Sequence, residues 1–104
     1  MTGNRRTVRT SSTFFQDLDR QLGSERGPRG EPSAHDFLVF ELTRIIEVFA
    51  TRFDELPPLL RGRDDCRILI GAGMLVPRFG VVGQLRGEDE IELIELDLDL
   101  DADW

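Results

Sequence analysis

The chain has 104 residues, 39% of them apolar and 32% charged, with a net charge of −7 and a mean hydropathy of −0.26. That is the size of one domain, and it excludes a membrane-embedded chain, a collagen-like chain and a wholly disordered one. A single cysteine, Cys66, closes no internal disulfide, and the charged start MTGNRRTVRTSST has no apolar run behind it, so a reducing, cytoplasmic setting is expected.

Residues 1–12 read as an N-terminal arm or a short edge strand, being polar and partly β-branched. A helix follows. Thr13 and Gln16 have capping-box spacing, Phe14, Phe15, Leu18 and Leu22 recur at helical intervals, and Gly23 ends the run. The Gly- and Pro-rich stretch 23–32 is a loop of about ten residues. Pro32 and Ser33 then open a second helix, with Asp36 completing the cap pattern, that is expected to run to about Glu55. Its stripe is Leu38, Leu42, Ile45, Phe49, Phe53 and Leu56, widened by Phe37, Val39, Phe40, Ile46 and Val48. Glu41, Arg44, Glu47, Arg52 and Asp54 are expected on the polar face, and charges this frequent preclude a membrane span.

Pro57-Pro58 stops the helix, and three strands follow at 66–70, 78–86 and 90–100. The last alternates cleanly from Ile94, with Ile94, Leu96, Leu98 and Leu100 inward and Glu95, Asp97, Asp99 and Asp101 outward. Ile91 and Leu93 have the opposite parity, so a bulge or a change of covered face is predicted near Leu93–Ile94. The expected fold is α+β: a two-layer β-α-α-β-β-β domain over residues 13–100, a helical hairpin on an antiparallel sheet, and an acidic tail at 101–104.

Charge is unevenly placed. Glu88–Trp104 holds nine acids and no base, whereas residues 1–87 net +2, and every base in the chain is arginine. On neighbouring strands Arg67, Arg78 and Arg86 could cluster on the exposed sheet face and grip carboxylate or phosphate; the alternative is that they pair with the acids of the last strand. The acidic row Glu95, Asp97, Asp99 and Asp101 is either a solvated face or a surface for a basic partner.

Other motifs read as structural. Gly71-Ala72-Gly73 lacks the third glycine and the following helix of a nucleotide site. Alternation with leucines spreads the acids along a strand, so no metal site and no cofactor is expected. His35 stands beside a helix cap, and Cys66 opens a strand as a buried thiol. No catalytic set can be assembled around one histidine.

The stretch TVRTSSTFFQDLDRQL, residues 7–22, with Phe14, Asp17 and Leu18, resembles the first strand and helix of the RelE/ParE superfamily of small toxins from toxin–antitoxin modules. The stretch 66–96 resembles that family's closing meander, with a strand arginine before a hairpin and an apolar last strand. The resemblance implies a β-α-α-β-β-β fold, with Arg67, Arg78 and Arg86 where active-surface arginines would stand. Lysine and tyrosine are absent, and the lone histidine lies on a helix, so contact with a protein fits better than ribonuclease chemistry. The expected partner is an antitoxin-like or other basic protein, with a second copy of the chain also allowed; the alternative is a non-toxic acidic module that binds a basic partner or mimics nucleic acid.

Overall fold

The computed structural model describes residues 5–28, 32–73 and 76–99. Leu100, Asp101 and the acidic tail lie outside the described residues. In chain order the elements are β1 (Thr7–Thr10), α1 (Ser12–Gln21), α2 (Ala34–Phe40), α3 (Leu42–Arg52), a 3₁₀ turn (Phe53–Glu55), β2 (Cys66–Gly71), β3 (Arg78–Arg86) and β4 (Glu90–Asp99). They build the expected α+β domain, with helices on one face of a four-stranded sheet of order β1-β4-β3-β2. β2, β3 and β4 form the antiparallel meander, and β1 runs parallel to β4 along Glu90–Leu93.

The first helix is capped by Ser11, whose Oγ accepts the Phe14 N–H at 3.2 Å, and not by Thr13. Thr13 is occupied elsewhere, donating to the Ile94 carbonyl at 2.8 Å. The second cap is as expected: Ser33 and Asp36 exchange hydrogen bonds in a full capping box. The helix it opens is not continuous to Glu55, however. It is interrupted at Glu41 (φ −104°, ψ −43°), and new hydrogen bonds start from the Glu41 carbonyl to the N–H groups of Arg44 and Ile45. Phe37 anchors the first piece, while Leu42, Ile45 and Phe49 anchor the second. Two pieces bury their own anchors where one straight 3.6-residue stripe would not. Val39 and Phe40, expected to widen the buried stripe, are consequently exposed, and Glu41, expected on the polar face, is buried.

The core joins Phe14, Leu18, Phe37, Ile45, Phe49, Phe53, Val81, Ile91, Leu93 and Leu96. The bulge is present: Gly83 pairs with Leu93 and Val82 with Glu95, so Ile94 is the extra residue. It resets parity, placing Ile91 and Leu93 on the same helix-covered face as Leu96. Ile94, expected to point inward, is therefore half-buried in the bulge. Gly83 lies directly beneath Phe49, and a Cβ there would sit 2.5 Å from the ring.

β4 is an interior strand and not an edge. Its first half pairs with β1; beyond the bulge, side chains of α1 take over. The Leu96 N–H donates to Asp17 Oδ2 at 3.1 Å, the Leu98 N–H to Gln21 Oε1 at 2.6 Å, and Gln21 Nε2 returns a bond to the Leu96 carbonyl at 2.8 Å. A helix thereby satisfies a strand's exposed backbone, removing the template for strand addition.

Candidate functional site

The bulge and the alternation of β2, β3 and β4 decide which residues share the face away from the helices. Ile68 and Ile70 of β2 stand opposite Val82 and Gly80 of β3, which stand opposite Glu95 and Asp97 of β4. These residues, with Arg78 and Asp99 at one end, line an open cleft of about 290 Å³. One wall is apolar, Ile68 half-buried and Ile70 showing 57% of its surface. The other is a row of three exposed carboxylates, Glu95, Asp97 and Asp99. Gly80 leaves the floor low between them, with nothing within 4 Å of the position a Cβ would take. Val82 fills the next floor position and is buried between its cross-strand neighbours.

The predicted arginine cluster does not form. Arg67 registers opposite Gly83 and therefore points to the helix side of the sheet. There it is a structural tie, donating to the carbonyls of Asp64 and Leu56 at 2.7 Å each, and its guanidinium lies 5.6 Å from the centre of the Phe53 ring. Arg78 and Arg86 are the first and last residues of β3, roughly 27 Å apart at the strand rise. Arg86 pairs with Glu92, both Nε and Nη2 reaching Oε1 at 3.1 and 3.0 Å. Arg78 stands across from Asp99 at the mouth of the cleft. The cleft therefore gathers Arg78, Glu95, Asp97 and Asp99 and leaves Arg67 and Arg86 out.

Sequence reasoning missed the apolar wall. Its signal was present in CRILIG, where Ile68 and Ile70 alternate with Leu69, so both faces of β2 are apolar although the helices cover only one. Gly80, next to Val81 and Val82 in the strand, was the matching signal for a low floor.

Elsewhere the chemistry is structural. Cys66 is buried, and burial pushes its thiol pKa up, away from the thiolate a nucleophile needs. His35 is exposed on the first turn of α2. The Gly71-Ala72-Gly73 connection leads to no helix; Gly73 gives room to the buried Glu41 carboxylate, with which a Cβ at that position would collide. Asp36 is held down to about 2 by the Arg26 guanidinium and the Ser33 N–H. Asp65 is held to about 2 as well, chiefly by Arg63. Among the described residues no group of histidine, cysteine and acidic side chains is arranged to hold a metal ion, and no helix is long and apolar enough to cross a membrane. Comparison with family models, with curated proteins and with solved structures finds no match to this chain.

Proposed function

We propose that the chain works by protein–protein contact, as a small RelE/ParE-like protein whose open sheet face takes a cationic segment of a partner protein. The observation that carries this reading is the cleft, in which half-buried Ile68 and exposed Ile70 face a row of three carboxylates across a floor lowered at Gly80. An apolar strip beside like charges suits a partner that buries hydrophobic surface and supplies arginine or lysine. Mimicry of nucleic acid is less well supported, since a phosphate array has no apolar strip beside it. Pairing of two copies through this face would set carboxylate against carboxylate, which favours a different, basic protein. Ribonuclease chemistry is the weaker reading because Arg67 is spent on backbone carbonyls and Arg86 on Glu92. The lone buried thiol suits a reducing, cytoplasmic setting.

The test is capture followed by reconstitution. Protein retained from a bacterial host by the immobilised chain is purified. Its association rate is then measured against wild type and against a Glu95→Gln, Asp97→Asn, Asp99→Asn variant at two salt concentrations. The reading expects slower association for the variant and a smaller salt dependence, as steering by exposed charge requires. Failure to retain any protein, or identical rates for the two chains, would overturn it.

A further inference from the structure

We infer that the cleft is a socket for one arginine side chain of the partner, laid across β3 at Gly80 with its aliphatic stem against Ile70 and its guanidinium shared by Asp97 and Glu95. This rests on the protein-contact reading above and adds the residue type on which recognition turns.

The register of the sheet sets the shape of the socket. Ile70, Gly80 and Asp97 stand in one row across β2, β3 and β4, on the face away from the helices, and Ile68, Val82 and Glu95 form the next row. Along β3 the neighbours of Gly80 on that face are Arg78 and Val82, each two residues away, so the missing side chain leaves a gap one residue wide. Nothing lies within 4 Å of the place a Cβ would take there. The gap runs from an exposed apolar side chain, Ile70, to an exposed carboxylate, Asp97, over two strand spacings or about 9.5 Å. A side chain with an apolar stem and a cationic head matches that order of surroundings.

Two carboxylates decide between arginine and lysine. Arg78 and Asp99, at the mouth of the cleft, each already hold an interaction and are not counted. Glu95 and Asp97 are exposed, and among the described residues neither makes a hydrogen bond or an ion pair. They stand two residues apart on one face of β4, about 6.6–6.8 Å at the strand rise. A guanidinium presents five N–H donors in a planar fork, so one arginine serves both carboxylates at once. Its weakly hydrated flat face also loses little water by lying beside Ile70 and Val82. An ammonium is a compact, strongly hydrated charge that meets one carboxylate and leaves the other to water.

The probes are three capped tripeptides, leucine–X–leucine, with arginine, lysine or citrulline at X; citrulline keeps the shape of arginine without its charge. Binding is followed at low salt through the backbone amide signals of the isotopically labelled chain. The arginine peptide should give saturable shifts centred on Gly80 and Asp97. It should bind at least about fivefold more tightly than the lysine peptide and about tenfold more tightly than the citrulline peptide. Asp97→Asn or Glu95→Gln should bring the arginine-to-lysine ratio close to one, because either leaves a single carboxylate. Gly80→Val fills the gap at a position where a Cβ meets open space and φ is not positive, and should abolish the preference too. Gly80→Ala, the smaller change, should weaken it, and an unchanged melting temperature verifies the fold of each variant. The readout is a ratio within one variant, so a reduced folded fraction does not move it. Lysine or citrulline binding as well as arginine, shifts away from the cleft, no binding by any probe, or a preference that survives Gly80→Val would overturn the inference. The two readings can fail separately. If the captured partner responds to the triple acid variant but the probes show no preference for arginine, the socket is wrong and the contact reading stands. Where the captured partner ignores the acids too, both fall.

Discussion

Replacing Gly83 with alanine tests the contact that joins the helical layer to the sheet. The new Cβ would lie 2.5 Å from Phe49 Cε1, 2.8 Å from Cδ1 and 3.2 Å from Ile91 Cγ2. The Phe49 ring is fully buried and packs 6.4 Å from the Phe53 ring, so it cannot swing aside as an exposed side chain would. Overpacking of a well-filled core costs about 1–3 kcal/mol, and contacts this short with ring atoms belong in the upper half of that range. Stiffening of the unfolded chain returns about 0.4–1 kcal/mol. A net loss of about 1–2.5 kcal/mol remains, or roughly 5–15 °C in melting temperature for a domain of this size. Phe49→Leu removes the ring atoms that meet the new methyl. Urea unfolding of both single variants and the double variant should therefore give a total loss smaller than the sum, by about 0.5–2 kcal/mol. Wild-type stability for Gly83→Ala, or strict additivity in the cycle, would refute this account of the helix–sheet contact.

Asp17→Ala removes the acceptor of the Leu96 N–H and should cost about 1–3 kcal/mol; it should also expose the β4 edge, giving self-association visible by light scattering. Arg67→Ala should lower the unfolding midpoint clearly, because it orphans the Leu56 and Asp64 carbonyls, whereas Arg86→Ala should change it little, since the lost pair with Glu92 is half-exposed. Asp36 and Asp65 both ionise near 2 in the folded chain, below the ordinary 3.8, so their contribution is complete above about pH 4 and lost as pH falls towards 2. Arg26→Gln should therefore lower the urea midpoint at pH 5, and the gap from wild type should close by pH 2.

Much of the local structure was legible from residue order because its causes are local. The run RFGVVGQLR marked the strand at 78–86, Ser33 with Asp36 marked a helix start, and the parity change across Leu93–Ile94 announced a bulge or a change of covered face, of which the bulge formed. Where a local signal had a tertiary competitor, the reading failed. Thr13 has the chemistry of a cap but serves the Ile94 carbonyl, and Glu41 has the charge of a surface residue but is buried where the second helix breaks. Arg67 shows the limit most clearly. Strand period says only that it faces opposite to Ile68, and both faces of CRILIG carry isoleucine or leucine, so nothing in that segment says which face the helices will cover. The register of Arg67 on Gly83, beneath the Phe49 layer, settles it. The acidic row was visible in one dimension, whereas its apolar opposite wall stands on a strand some 25 residues earlier. Sequence determines which residues alternate together along one strand; only the pairing of β2, β3 and β4, fixed by burial of the opposite face, decided that isoleucines and carboxylates would line a single cleft.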